Sequence, residues 1–175
     1  MKENSGNITF HMEFPDCPQL REVKDEDLIL LSYSAKHVAN CYFELIMRNY
    51  DWDRMDIDND TEFEMYMSFA GLTCEIYFKS ILFYNDGISA KQRKMHDLKK
   101  LYDKLNTCRA DIAAKIVEET CSGDIDMFSA ELERIKIMFE QFRYSYELNG
   151  YRINIRFIKL LLFSLKRITD SECSE

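Results

Sequence analysis

The chain has 175 residues, 46% of them hydrophobic and 13% aromatic, a composition typical of a globular protein and not of a disordered one. This length fits one domain with a substantial core. The formal net charge of −8 opposes broad, sequence-independent attraction to nucleic-acid phosphates, although it leaves room for a local basic groove. With only two prolines and five glycines, long stretches are free to form helices.

The six cysteines show no paired spacing and no Cys-x-x-Cys motif. We therefore expect reduced thiols in a cytoplasmic protein and no disulfide framework. The polar N-terminus predicts no signal peptide. The most apolar run, residues 157–165, contains Lys159 and is far below the ~20 residues needed to cross a bilayer, so no membrane partner is expected.

Residues 1–24 predict a short extended arm. Its apolar positions alternate with polar ones, which is the pattern of a strand with one apolar face: Ile8, Phe10, Met12 and Phe14. Pro15 and Pro18 then end the pattern. Because one strand is not stable alone, the arm is expected to lie on the helices or to pair with a second copy of the chain.

The first helix is predicted after acidic residues 25–27, which complement the dipole at a helix start. Its apolar seam has helical spacing: Leu28, Leu31, Ala35, Val38, Tyr42 and Leu45. In the acidic loop 51–60, three aspartates imitate the start of a calcium loop: Asp56, Asp58 and Asp60. However, Thr61 replaces the required glycine and Met67 the required glutamate, so a solvated loop without metal is expected.

The longest predicted helix begins near Glu62 and ends at the Asn-Asp-Gly sequence of residues 85–87. One face is apolar at spacings of three and four: Phe63, Met67, Ala70, Cys74, Tyr77 and Ile81. A second apolar line covers most of the rest: Tyr66, Phe69, Leu72, Ile76 and Phe83. The helix is therefore expected to be central and buried. Gly71 costs about 1 kcal/mol of helix propensity relative to alanine, which predicts that another backbone passes close by.

Further helices are predicted from His96-Asp97 to about residue 105, over residues 109–120, over residues 126–148 with a cap at Asn149-Gly150, and over residues 151–168. The predicted fold is an all-α, single-domain bundle of five to six helices over residues 25–169. The extended arm occupies residues 1–24, and a disordered acidic tail is expected over residues 170–175.

Two segments carry a family resemblance. Residues 70–82 have an acidic residue and a lysine four apart on an apolar helix, Glu75 and Lys79, and His96-Asp97-Leu98 opens the next helix after a loop. This order resembles the HEPN domain (higher eukaryotes and prokaryotes nucleotide-binding). Farther on, Phe142-Arg143-Tyr144-Ser145-Tyr146-Glu147 looks like the Arg-Tyr-x-Tyr-Glu segment of a late helix in bacterial members. The resemblance spans roughly residues 28–148.

A buried polar cluster is inferred around Glu75. An exposed Glu-Lys pair of this spacing contributes only ~0.3–0.5 kcal/mol, but on a buried helix both charges need further partners. Arg143 and Glu147 repeat the spacing, and His96 stands at the mouth of the loop. The inferred cluster is Glu75, Lys79, His96, Arg143 and Glu147. A structural network is favoured over an active site, since ion-pair networks perturb titration without catalysing anything.

The resemblance implies a module that binds RNA, a nucleotide or a protein partner in a bacterial defence, toxin–antitoxin or stress system. Catalytic members are metal-independent ribonucleases with an arginine four to six residues before a histidine. Here Lys91 stands at that position before His96, and no histidine follows Arg143. A non-catalytic module without cofactor or metal is therefore expected, with candidate ligand contacts at Lys91, Arg93, Tyr144 and Tyr146. The alternatives are an endoribonuclease with an unconventional site around His96 and Arg143, and a dimeric protein-interaction scaffold.

A homodimer is expected from the last helix. Its apolar residues are nearly consecutive: Phe157, Ile158, Leu160, Leu161, Leu162, Phe163 and Leu165. A helix apolar all round must be covered on more than one side, and a terminal helix has few neighbours of its own chain. We expect a second protomer to cover the remaining side, since two-fold dimers are the commonest soluble assemblies and the resembled family favours them.

Overall fold

The computed structural model describes residues 27–52, 61–89, 94–143 and 153–173, without the side chains of Thr61 and Arg143. In these ranges the chain forms seven helices and no strand. They are α1 Leu28–Asn49, α2 Thr61–Tyr84, α3 Leu98–Cys108, α4 Ala110–Cys121, α5 Ile125–Ile135, α6 Met138–Arg143 and α7 Ile155–Glu172. The predicted all-α bundle is confirmed. Helices α5 and α6 together replace the single helix predicted over residues 126–148, so the seven helices correspond to the six that were predicted.

Helix α2 is the centre of the bundle and packs against α1, α3, α6 and α7. Its first apolar line is enclosed, with every member at most 2% exposed: Phe63, Met67, Ala70, Cys74, Tyr77 and Ile81. The helix ends where predicted. Asn85 Nδ2 donates to the Ile81 carbonyl at 2.8 Å, and Asp86 turns the chain with a φ of 52°. The Gly87 amide then bonds to the Leu82 carbonyl at 2.7 Å.

The second apolar line of α2 is less enclosed than predicted. Four of its members are only partly buried: Tyr66, Phe69, Leu72 and Ile76. Phe83 alone of this line is buried. The prediction that α2 is central and buried therefore fails on this one side. Helices α1, α3, α6 and α7 pack against the other sides of α2, and no described helix covers this side.

The predicted seam of α1 is right for Leu28 and for Leu31, which packs against the core, and wrong beyond Leu31. The buried residues lie about one position further round the helix: Leu28, Ser32, Ala39, Phe43 and Ile46. Ser32 Oγ donates to the Ser80 carbonyl at 2.8 Å, and Ser80 Oγ donates to the Ser32 carbonyl at 2.9 Å. This reciprocal pair removes the cost of burying two hydroxyls and fixes the rotation of α1 on α2. Val38 and Leu45 are consequently exposed.

Helix α3 begins as predicted, because Asp97 caps it by accepting a hydrogen bond from the Lys100 amide at 3.0 Å. The predicted helix over residues 126–148 is interrupted at residues 136–137. There the Leu98 amide donates to the Lys136 carbonyl at 2.7 Å. A continuous helix would use that carbonyl internally, so the contact with α3 replaces one helical hydrogen bond.

Helix α6 crosses α2 at Gly71. A Cβ atom at Gly71 would lie 2.7 Å from the Phe139 amide nitrogen and 3.1 Å from Met138 Cβ. Ser68 Oγ, on the same side of α2, donates to the Phe139 carbonyl at 3.5 Å. The predicted close approach of a second backbone to Gly71 is confirmed.

Arg109, between α3 and α4, ties three helix ends together. Its Nε and Nη2 atoms donate to the two carboxylate oxygens of Asp111 at 2.9 and 2.8 Å. Nη1 donates to Asn85 Oδ1 at 2.7 Å, and Nη2 also donates to Glu172 Oε2 at 3.1 Å. The hydrogen bond from Arg109 lowers the pKa of Asp111 to about 2.

The chain end is more ordered than the predicted acidic tail over residues 170–175. Helix α7 continues to Glu172, and Cys173 is fully buried. Lys36 of α1 explains this, because its Nζ atom donates to the Cys173 carbonyl at 3.0 Å and lies 3.6 Å from Asp170 Oδ1. The tail prediction is thus wrong for residues 170–173.

Some predicted features lie outside the described residues: the arm over residues 1–24, the aspartates of the 51–60 loop that imitate a calcium site, and the Asn149-Gly150 cap. The five cysteines within the described ranges are all free. None of the seven helices has the length and apolar character to span a membrane.

Candidate functional site

Three members of the predicted polar cluster meet at one carboxylate oxygen. Lys79 Nζ donates to Glu75 Oε1 at 2.7 Å, and His96 Nδ1 lies 3.0 Å from the same oxygen. The side chains of Glu75 and Lys79 are 4% and 11% exposed, whereas that of His96 is 48% exposed. The group therefore runs from the interior to the surface, with the histidine at the outer end. We call Glu75, Lys79 and His96 the polar triad.

The backbone on both sides of the polar triad is fixed. Glu75 lies one turn after Gly71, on the side of α2 that faces α6. Lys79 is one turn further on. His96 directly precedes Asp97, the cap of α3, and the first amide of α3 is anchored on the Lys136 carbonyl. Helix α2 thus positions Glu75 and Lys79, whereas the start of α3 positions His96, and the two helices pack together.

The hydrogen bond between His96 and Glu75 decides the tautomer. An ionised carboxylate only accepts hydrogen bonds, so His96 donates through Nδ1 in the tautomer that satisfies this contact, and Nε2 is the ring nitrogen that does not contact Glu75. No other described residue bonds to the His96 ring. A half-exposed imidazole oriented by an enclosed carboxylate has the arrangement of a general base.

The second oxygen of Glu75 is unsatisfied. Oε2 is buried and has no hydrogen-bond partner within the described part of the chain. Leaving a buried acceptor unpaired costs about 1–3 kcal/mol, and more for a charged group. Among the described residues, the polar triad therefore leaves one buried carboxylate oxygen without a donor.

Apart from Arg143, the other predicted site residues lie outside the described residues: Glu147, Lys91, Arg93, Tyr144 and Tyr146.

Arg143 has its backbone at the end of α6. The preceding Phe142 packs edge-to-face on Phe63, with ring centroids 5.9 Å apart. Phe63 is twelve residues before Glu75, or about 18 Å along α2. Helix α6 therefore leads away from Glu75 as it approaches Arg143.

An apolar strip along α1 and α2 was not expected from the sequence. It consists of Val38, Tyr42 and Leu45 of α1 with Met65, Phe69, Leu72 and Ile76 of α2. Val38, Leu45 and Met65 are 42%, 43% and 45% exposed. The rings of Tyr42 and Phe69 stack at 5.8 Å and 18°, which joins the two halves.

The sequence does contain a signal for the apolar strip. Most residues of the two halves belong to the predicted seam of α1 and the second apolar line of α2, which apolar spacing alone assigns to the core. The apolar strip also reaches the polar triad, because Lys79 follows Leu72 by two turns on the same side of α2.

The last helix does not need the cover that was predicted for it. Its own chain buries five of the apolar residues to 2% exposure or less: Phe157, Ile158, Leu161, Leu162 and Leu165. They pack between α2, α4 and α1. Leu160 is partly exposed and Phe163 is 46% exposed, with its ring edge-to-face on Phe43 at 5.2 Å. The premise that α7 has few neighbours of its own chain is therefore wrong.

No group of three or more His, Cys, Asp or Glu side chains within the described ranges is arranged to hold a metal ion. No protein-family model, curated protein or solved structure matches this chain. The resemblance to the HEPN domain thus rests on the sequence motifs alone.

Proposed function

We propose that this chain is a non-catalytic, HEPN-like helical module that binds a second copy of itself through the apolar strip. The observation that carries the proposal is the strip itself. Three of its seven apolar side chains, Val38, Leu45 and Met65, are 42%, 43% and 45% exposed, and the other four are partly buried. A contiguous apolar surface of this kind on a well-packed bundle marks an interaction site.

A second copy suits the apolar strip geometrically. Helices α1 and α2 run antiparallel, since Asn40 bonds to Tyr77 while Tyr50 lies on Tyr66. Two such helix pairs related by a two-fold axis can bury each other with ordinary helix packing. Fully burying a valine, leucine or methionine side chain contributes about 1.5–3 kcal/mol, and the exposed members would gain roughly half of that each.

The biological setting in this proposal comes from the resemblance. It places the module in a bacterial cell, in a defence, toxin–antitoxin or stress system, and the cysteines without paired spacing favour the cytoplasm. It also extends the ligands to RNA or a nucleotide, for which Lys91, Arg93, Tyr144 and Tyr146 are the candidate contacts. Exposure of the full-length protein to labelled single-stranded RNA at several salt concentrations tests this part, because phosphate contacts weaken steeply with salt.

Self-association is tested by sedimentation equilibrium of the full-length chain across the micromolar range. We expect a dimer mass at the upper end and a monomer for the Val38→Asp/Leu45→Asp variant. The matched control is Ile125→Asp/Met127→Asp, which places the same charges on exposed apolar residues of α5. A monomer at every concentration, or equal weakening by both variants, contradicts the proposal.

A second candidate function is a metal-independent endoribonuclease at His96, and the polar triad favours it. Buried Glu75 orients the His96 ring through Nδ1, and within the described part of the chain no residue bonds to Nε2. The Arg143 partner of the predicted site has no such support, because α6 leads away from Glu75.

Incubation with total RNA in the presence of a metal chelator tests this second candidate. His96→Ala is the test variant, and His37→Ala, which removes another exposed histidine, is its control. Cleavage lost only in the His96→Ala variant supports the enzyme. RNA left intact by the wild-type protein contradicts it.

A further inference from the structure

We propose that the chain's own N-terminal segment, residues 8–14, covers the apolar strip in the free protein and so competes with the second copy. The segment can cover the apolar strip whether or not the chain dimerises. Its competition with a second copy, however, rests on the proposed function. The segment lies outside the described residues. Its sequence, its length and the place where the described chain begins are what match it to the strip.

The side chains of the segment match those of the apolar strip. Apolar and polar residues alternate over residues 8–14, so an extended backbone places four apolar side chains on one side: Ile8, Phe10, Met12 and Phe14. The apolar strip offers aromatic and aliphatic partners with no charged member. An extended segment with one apolar face and a helix pair with one open apolar face each supply the burial that the other lacks.

The dimensions agree as well. Six residue steps from Ile8 to Phe14 span about 20 Å when extended. The α2 half of the apolar strip, from Met65 to Ile76, is about 17 Å long. The described chain begins at Asp27, at the start of the helix that carries the other half. The thirteen residue steps from Phe14 to Asp27 reach up to about 43 Å, which exceeds the ~26 Å from Leu28 to Leu45.

Competition follows from the tether. A segment joined to its site by a short linker acts at an effective concentration of about millimolar, well above the micromolar concentration of a second copy. A dimer that forms only from uncovered chains has its apparent dissociation constant raised by the reciprocal of the square of the uncovered fraction, because both protomers must be uncovered. The segment thereby sets the concentration at which the chain self-associates.

The native thiols report whether the strip is covered. Cys41 is exposed and lies on the α1 side of the apolar strip, three residues after Val38 and four before Leu45. Cys17 follows Phe14 by three residues. A short bis-maleimide is applied to the full-length chain carrying Cys108→Ser, which removes the other exposed thiol of the described ranges. We expect a Cys17–Cys41 cross-link within one chain, identified by its monomer mass and by peptide mapping.

The alternation supplies a matched pair of variants. Phe10→Asp/Phe14→Asp charges the apolar side of the segment, whereas Thr9→Asp/His11→Asp charges its polar side. We expect the first variant to lower the intrachain cross-link yield about tenfold and the second to leave it unchanged. Absence of the intrachain product, a product only between two chains, or equal yields from the two variants overturns the covering.

Sedimentation equilibrium then separates the covering from the self-association. If both proposals hold, Phe10→Asp/Phe14→Asp dimerises about tenfold more tightly than the wild-type chain, and Thr9→Asp/His11→Asp does not. A dimer with the same dissociation constant in the wild type and in both variants overturns the competition and leaves the proposed function intact. Monomers at every concentration, together with the intrachain cross-link, overturn the proposed function and leave the covering intact.

Discussion

Glu75 is the most enclosed carboxylate in the described part of the chain, and its only partners are on one oxygen. Replacing it by alanine strands the Lys79 ammonium, which is almost as deeply buried. Removing one member of a buried ion pair commonly costs about 3–5 kcal/mol. We expect Glu75→Ala to lower the free energy of unfolding by about 3 kcal/mol, measured by urea denaturation.

The double variant Glu75→Leu/Lys79→Met controls for loss of packing. Removing both charges and filling the space with apolar groups of similar size leaves no buried charge behind. Most of the lost stability should therefore return. A double variant as unstable as Glu75→Ala would show that the pair is not what makes the single substitution costly.

The contact between Arg109 and Asp111 predicts a pH dependence. The pKa of Asp111 is about 2 in the folded chain and near 3.9 in an unfolded one. The folded state therefore binds fewer protons, and the stabilisation is fully present above about pH 4 and is lost as the pH falls toward 2. We expect the urea midpoint of the wild type to exceed that of Asp111→Asn at pH 6 and to approach it near pH 2. A difference between the two urea midpoints that does not change with pH would contradict the contact between Arg109 and Asp111.

At the scale of elements, the crossing of α6 over α2 depends on Gly71. Alanine at this position places its Cβ against backbone atoms of α6, which have no side-chain freedom to move away. Overpacking of this kind costs about 1–3 kcal/mol, which exceeds the gain in helix propensity of about 1 kcal/mol. We expect Gly71→Ala to lower the thermal midpoint. Ser34→Ala, an exposed small-residue change on α1, is the control. A higher midpoint for Gly71→Ala would mean that α6 does not pass this closely.

Apolar periodicity predicts where helices lie but not how each one is rotated or interrupted. The predicted seam of α1 is wrong because Ser32, a polar residue, is buried through its exchange of hydrogen bonds with Ser80. The break between α5 and α6 leaves the apolar pattern intact, so nothing in that pattern marks it. Its cause is the Leu98 amide on the Lys136 carbonyl, a contact between distant residues.

For the whole molecule, some parts of the candidate site could be predicted from the sequence and others depend on how the helices pack. Glu75 and Lys79 were predictable because four residues make one helical turn, and His96 because the loop must return to α2. The place of Arg143 was not predictable. It depends on the direction in which α6 crosses α2, which follows from the packing of Phe142 on Phe63. The apolar strip was missed because single-sequence patterns show that a side is apolar and not whether another helix covers it.

The free cysteines report how completely the helices that carry them are enclosed. Cys74, Cys121 and Cys173 are buried, and burial raises the pKa of each thiol, so little thiolate is present or accessible in the folded chain. Cys41 and Cys108 are exposed, although partial burial also raises the pKa of Cys108.

Labelling of the native protein with a small thiol reagent at pH 8 should therefore be fast at Cys41 and slower at Cys108. Labelling at the three buried positions should require unfolding, and urea should release all three together, because Cys173 closes the same core that contains Cys74. Peptide mapping of the labelled chain identifies each site. Rapid labelling of Cys173 alone in the native protein would show that the end of α7 opens independently, contrary to its contacts with Lys36 and Ser80.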